Sequence, residues 1–295
     1  MVGAALARGH RVTRLVRSAR AAPAAGAVTV VADLSVAGAL SDTLDECDAV
    51  VHCAASLAGG AAEQARDTLA PTEHLVTAMR GSSVARLVLV SSLAVYDYRA
   101  LPTGGRLDET APLERDAPSR GPYVEAKLAQ ERLVQAGVGM DWRIVRPGLV
   151  FGPGRGWFYH LGLPVPGGAW LALAGSAELP LTHVDNCAAA IVAAAEAPAG
   201  GVAANIVDDL RPTRVEYMRA LAAATAPGTR VVNVPWGLLT AGGGVANALG
   251  LTSGMLHPAR LAARCKPLTY DHAVATQAFG WRPAMAMVEA LATLS

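Results

Sequence analysis

Lysine is almost missing from this chain: of 25 basic residues, only Lys127 and Lys266 are lysines. Acids are missing from its beginning, where no Asp or Glu precedes Asp33. Cysteine is limited to Cys47, Cys53, Cys187 and Cys265, with no CxxC pair. That pattern reads as small core residues of a reduced compartment rather than a disulfide framework. The seven histidines form no HxxxH or HExxH spacing, which argues against a metal site. An excess of one charge is also absent. A formal net charge of +1 with 17% charged residues leaves no electrostatic footprint for nucleic acid.

Long hydrophobic runs are lacking as well. The run CAAAIVAAA, residues 187–195, is too short to span a bilayer. Arg8, Arg11 and Arg14 interrupt the first residues before the apolar core of a signal peptide can build. The expectation is a soluble, cytoplasmic protein with a small-molecule substrate, no nucleic-acid partner and no membrane span, with a homodimer as the candidate assembly. Residues 231–259 hold no Asp, Glu, Lys or Arg, yet they include Pro235 and the Gly242-Gly243-Gly244 triplet. An apolar flap or partner surface suits them better than a membrane helix.

What is present is an alternation of short β-branched runs with alanine-rich helical stretches, the signal for a parallel sheet covered by helices. Strands are expected at 11–16, 28–34, 48–55, 86–92 and 142–154, the last breaking into a Gly/Pro loop. Helices are expected from Val36 to Leu44, then through about Met79 with Pro71 bending or restarting it, and from Pro122 to about Gln135. Residues 155–181 are rich in Gly, Pro, Trp and Leu, which suggests a pocket-lining segment. A helix at 185–197, a strand at 203–207 and helices at 213–226 and 284–294 complete a smaller region. The fold class is α/β, a doubly wound parallel sheet with a C-terminal lobe.

Tyr123 stands four residues before Lys127, one of the two lysines. On a helix, positions i and i+4 share a face, with Cβ atoms roughly 5–6 Å apart. An ammonium that close favours the phenolate and lowers the tyrosine pKa, so the tyrosine can exchange a proton with an alcohol or carbonyl near neutral pH. The same pair also fits a surface tyrosine packed on a lysine stem.

Six motifs, in order, bear on that choice: VVADL (30–34), VVHCAA (50–55), LVLVSSLAVY (87–96) with YVEAK (123–127), IVRPGLVFGPG (144–154), LPLTHVDNCAAAI (179–191) and YDHAVATQAFGWRP (270–283). With them the chain resembles the extended short-chain dehydrogenase/reductase (NAD-dependent epimerase/dehydratase) family over nearly all its length. The resemblance implies a catalytic Ser92, Tyr123 as general acid or base, and Lys127 gripping the nicotinamide ribose. It implies cofactor contacts from Asp33 and Leu34 at the adenine, from Ala54 and Ala55 along the dinucleotide, and from Pro147, Gly148 and Val150 near the nicotinamide. Ser92 also fits a backbone cap at a strand end, and Asp33 fits a helix N-cap.

The chain departs from the family at its start. MVGAALARGHRVTRLVRS resembles the family's first helix and second strand, so the first strand and the glycine-rich turn that meets the pyrophosphate are expected to be missing. An internal methionine at position 1 or a genuine short form would each account for this. The expected division is 1–154, a Rossmann-like dinucleotide domain without its first strand, and 155–295, mainly a substrate lobe with segments returning to the first. Thr68 stands where the family often has asparagine. Ser92-Leu93-Ala94 replaces the Thr-Asp-Glu of sugar dehydratases, which disfavours dehydration.

Family members that prefer NAD carry an acid at the end of the second strand. Here Arg14, Arg17 and Arg20 cluster instead, so NADP is expected over NAD with Arg17 as the contact, unless the cluster only reflects the chain's general use of Arg. The activity implied is hydride transfer between a nicotinamide and a secondary alcohol or ketone, as a reductase or an epimerase, on a nucleotide sugar or related ring. Trp157, Phe158, Tyr159 and Trp170 are candidate pocket walls. The competing reading is a binding or regulatory protein of this fold without turnover.

Overall fold

The computed structural model describes all residues except 41, 42, 45, 138, 159, 210, 251–253, 255, 256 and 295. The chain opens on α1 (Val2–Ala7), then β1 (Thr13–Val16), β2 (Val28–Val31) and β3 (Ala49–His52). Next come α2 (Ala61–Gln64), α3 (Ala70–Arg80) and β4 (Arg86–Val90), then β5 (Arg106–Leu107), α4 (Ala117–Arg120) and α5 (Pro122–Gln135). β6 (Asp141–Pro147), β7 (Leu149–Phe151), β8 (Gly162–Val165), β9 (Ala169–Leu173) and β10 (Leu181–His183) follow, and then α6 (Val184–Glu196) and β11 (Val202–Ile206). The chain continues through α7 (Arg214–Thr225), β12 (Arg230–Val234), α8 (Trp236–Ala248), α9 (Pro258–Cys265), β13 (Thr269–Tyr270), α10 (Ala273–Phe279) and α11 (Met287–Ala292).

The central sheet is parallel, in the order β11-β6-β4-β3. β1 and β2 form a separate parallel pair. Smaller ladders join β7 to β10, β9 to β8 and β12, and β5 to β13. The mixed α/β architecture with helices on both sheet faces agrees with the doubly wound expectation.

Strand β4 shows why. Successive side chains of a strand point to opposite faces. Leu87 and Leu89 pack with Leu75, Val76 and Met79 of α3 and Val134 of α5. Val88 packs the other way, with Ile191 of α6 and Phe279 of α10. All three β4 residues are fully buried, so truncating either leucine to alanine would cost about 2–5 kcal/mol.

Two helix expectations change. Residues 36–40 are turns instead of a helix. Asp33 accepts the Ser35 N–H at 2.9 Å, and Gly38 takes φ +79°, a conformation that a right-handed helix excludes. Asp33 therefore caps a turn rather than a helix. The second helix does restart at its proline: a π-helical turn, Ala65–Leu69, precedes α3, whose first turn holds Pro71. Pro71 has no N–H to give the turn before it, and the ladder widens there.

Among the described residues no helix is long and apolar enough to cross a membrane. Leu238 and Val245 of α8, and Leu249 just beyond it, are exposed.

Candidate active site

Helix α5 sets the geometry. Gly121 turns into it with φ +108°, and Pro122 occupies the first helical position, where its missing N–H costs nothing. Tyr123 then begins the face that Lys127 continues one turn later. Opposite them, Ser91-Ser92 follow the end of β4 and lead into a 3₁₀ turn, Leu93–Val95. Ser92 accepts the Ala94 N–H at 3.1 Å, so it does cap the backbone. A hydroxyl with one acceptor position in use still has its O–H to donate.

Ser92, Tyr123 and Lys127 border one cavity of about 700 Å³. Its walls are the ends of β3, β4 and β6, helix α5, residues 155, 157, 158, 160 and 178–180, and helix α9. In open α/β sheets, ligands settle outside the carboxyl ends of the strands, which is where this cavity lies. Ala55, Pro147, Gly148 and Val150 border it too. Gly148 is required by a close approach: a Cβ there would collide with the Pro180 carbonyl, which accepts the Leu149 N–H at 2.7 Å.

The other expected cofactor residues lie outside the cavity. Ala54 is exposed beside it. The backbone oxygen of Leu34 is 2.8 Å from His74 Nδ1. Arg17 reaches Asp67 at 3.1 Å and Asp33 at 3.7 Å, at the ends of β1 and β2. Of the aromatic walls, Trp157 and Phe158 line the cavity. Trp170 does not; it stacks edge-on against Trp157 with ring centroids 4.8 Å apart. Tyr159 lies outside the described residues.

Lys127 is buried, and its Nζ donates to the Val90 carbonyl at 2.9 Å and to Gln130 Oε1 at 3.0 Å. Burial pushes its pKa down to about 8, against the opposing effects of Cys53 and Glu131. Gln130, fully buried, donates in turn to Thr72 Oγ1 at 2.7 Å, and Thr72 lies 2.9 Å from His52 Nε2. Thr68, to which the sequence assigned no role, accepts the Ser56 N–H and donates to Gln64. Nothing in the sequence marked Gln130: beyond Lys127 on its own helix, the partners that define it, Thr72 and His52, are 58 and 78 residues away.

His52 gives this layer an acid limit. Burial, then the Lys127 charge, pushes its pKa from 6.5 to about 4. The unfolded chain takes up a proton below pH 6.5 that the folded chain refuses until about 4, so stability falls as pH drops through that window. The urea midpoint should fall between those values, and less steeply in His52→Gln. An equal slope in both proteins would count against this origin.

Beneath the cavity lies a charged network. Arg146 forks onto Glu131 at 2.7 and 3.0 Å. It also donates to the Tyr96 hydroxyl at 2.8 Å, which donates to Asn205. Ser91 donates to Glu131 at 2.5 Å. Burial opposes the Arg146 charge, and Glu131 more than offsets this, raising its pKa.

Residues 1–156 match a family described as NAD(P)H-binding. A 3-diazoavenalumate denitrifying reductase of a Streptomyces species is 36% identical over 231 residues, 71% of each chain. A 4-hydroxy-2-methyl-3-oxo-4-farnesyl-3,4-dihydroquinoline-1-oxide ketoreductase of Stigmatella aurantiaca is 33% identical over 158 residues, 52% of this chain and 46% of that protein. In fold, the chain is similar to the UDP-glucuronic acid 4-epimerase of Bacillus cereus solved with NAD: TM-score 0.70 and 16% identity, over 99% of this chain and 93% of that one.

Proposed function

Because the chain belongs to the NAD(P)H-binding family of extended short-chain dehydrogenases and reductases, we propose that it reduces the carbonyl group of a small organic molecule to a secondary alcohol. The observation that carries this reading is the convergence of Ser92, Tyr123 and Lys127 on one cavity. Net reduction is favoured over epimerisation because both curated relatives are named reductases.

The residues present fit a dinucleotide. Ala55, Pro147, Gly148 and Val150 would flank the nicotinamide end, Lys127 would hold its ribose, and Ala54 would leave room for the chain between. Asp33 and Leu34 would take the adenine, and Arg17 the 2′-phosphate of NADPH. When bound, the reduced nicotinamide supplies the hydride. Ser92 donates a hydrogen bond to the substrate oxygen and fixes the carbonyl. Tyr123 gives that oxygen its proton as the carbon is reduced. The Lys127 ammonium stabilises the phenolate left on Tyr123. The products are an alcohol and oxidised cofactor.

The test is NADPH oxidation over a panel of ketones, with the alcohol quantified. Stoichiometric alcohol and NADP supports the reductase, whereas inverted substrate without net cofactor oxidation supports an epimerase. A second reading, binding without turnover, is favoured because among the described residues no ladder joins β1–β2 to β3; failure to bind either cofactor would support it.

Two further outcomes are expected. Surface ion pairs contribute at most about 1 kcal/mol, so Asp33 and Asp67 would yield Arg17 to a phosphate. Arg17→Ala should lower the preference for NADPH over NADH by about ten-fold, and an unchanged ratio of Kd values would remove that contact. Second, kcat/KM should fall as pH rises through about 8, where Lys127 loses its proton. A carboxylate at position 130 would hold the ammonium charged, so Gln130→Glu should move that limb upward and Gln130→Met downward. A limb that stays in place in both variants would separate it from Lys127.

A further inference from the structure

The cavity carries more positive charge than carbonyl reduction uses. Among the described residues, five arginines and two lysines border it against one carboxylate, Glu178, which is already engaged by Arg211 at 3.2 Å. Of the cations, Arg120 is balanced by Glu114 at 3.4 Å, and Lys127 belongs to the proposed machinery. Arg214, at the start of α7, is neither. It is 3% exposed. Its two Nη atoms donate to the carbonyl oxygens of Ala174 and Arg264, while its Nε has no partner. The ionisable groups that offset burial at this guanidinium are Cys265 and Tyr270, neither a carboxylate. Among the described residues no carboxylate pairs with this guanidinium, and a buried cation left without a counter-ion is strongly unfavourable, so an incoming anion would be favoured here.

Two more guanidiniums face the same space. Arg260 and Arg264 stand one turn apart on α9, and both border the cavity. Arg260 Nε donates to the Ser119 carbonyl at 3.0 Å, just before the Gly121 turn that begins α5. His160 registers the field: burial, then the charges of Arg264, Arg214 and Arg120, push its pKa down to about 4. The imidazole is therefore neutral near pH 7.

We propose that Arg214, Arg260 and Arg264 form a subsite for an oxyanion carried by the substrate, a carboxylate or a phosphate, so that the carbonyl compound this chain takes is an acid. Guanidinium forks suit both groups through paired hydrogen bonds. The proposal rests on the reductase reading for calling that occupant a substrate.

Binding without turnover tests it. Benzoate, phenyl phosphate and benzamide are titrated into the full chain while tryptophan emission is followed, since Trp157 borders the cavity. At least one anion should bind about ten-fold more tightly than benzamide, and added salt should weaken it. Arg264→Gln should erase that preference and leave benzamide unmoved. A preference for benzoate alone identifies a carboxylate, and one for phenyl phosphate alone identifies a phosphate. Arg214 also ties Ala174 to α9, so Arg264→Gln and Arg260→Gln carry the test if Arg214→Gln does not fold. Benzamide binding as tightly as both anions, or a preference untouched in both α9 variants, overturns the proposal. If the anion preference stands while no ketone oxidises NADPH, the reductase reading fails and the subsite remains.

Discussion

Tyr123→Phe is expected to bind cofactor and ketone and to turn over about 10²–10⁴-fold more slowly. The variant keeps the ring, which packs against the buried cluster that includes Leu93 and Val124, and loses only the hydroxyl. In the proposed reaction that hydroxyl delivers a proton to an oxygen gaining negative charge, an interaction that grows toward the transition state. Its loss should lower kcat and leave KM within about a few-fold. A packing role would give the opposite pattern, an altered thermal midpoint with kcat nearly kept. Single-turnover measurements at saturating NADPH separate chemistry from cofactor release. A Tyr123→Phe rate within about three-fold of the parent chain would remove Tyr123 from the proton transfer and with it the reading built on the Tyr123–Lys127 spacing.

That spacing shows how much was legible beforehand. Tyr123 and Lys127 are local partners on one helix, and period and capping residues fix a helix such as α5. The strands of the central sheet were legible for a similar reason, because buried parallel strands read as continuous apolar runs. Residues 36–40 were misread because their apolar spacing resembles a helix, while Gly38 and the Asp33–Ser35 turn decide the backbone there. Trp170 was placed on the cavity by composition, but stacking on Trp157 turns it away. Gln130, Arg214 and Arg264 gave no signal at all. Each takes its meaning from partners brought near by the fold, and in a chain with so much arginine one more arginine carries little information.

Arg146→Met should be the most destabilising of these substitutions, lowering stability by about 3–5 kcal/mol. Glu131 sits one turn beyond Lys127 on α5, and Arg146 lies on β6, so their fork ties the helix carrying Tyr123 to the central sheet. Both side chains are almost fully buried, at 5% and 2% exposure. Removing the guanidinium leaves a carboxylate with only the Ser91 hydroxyl, and the Tyr96 hydroxyl loses its donor. Glu131→Met with Arg146→Met removes both charges and should recover most of the loss, because an apolar pair incurs no desolvation cost. The pH dependence identifies the cause. A carboxylate stranded in a buried site is disfavoured only in its charged form, so the deficit it causes grows as pH rises. The deficit of Arg146→Met, read from urea midpoints, should therefore be smaller at pH 5 than at pH 8. A deficit equal at both pH values would mean that lost packing, and not the stranded charge, destabilises the variant.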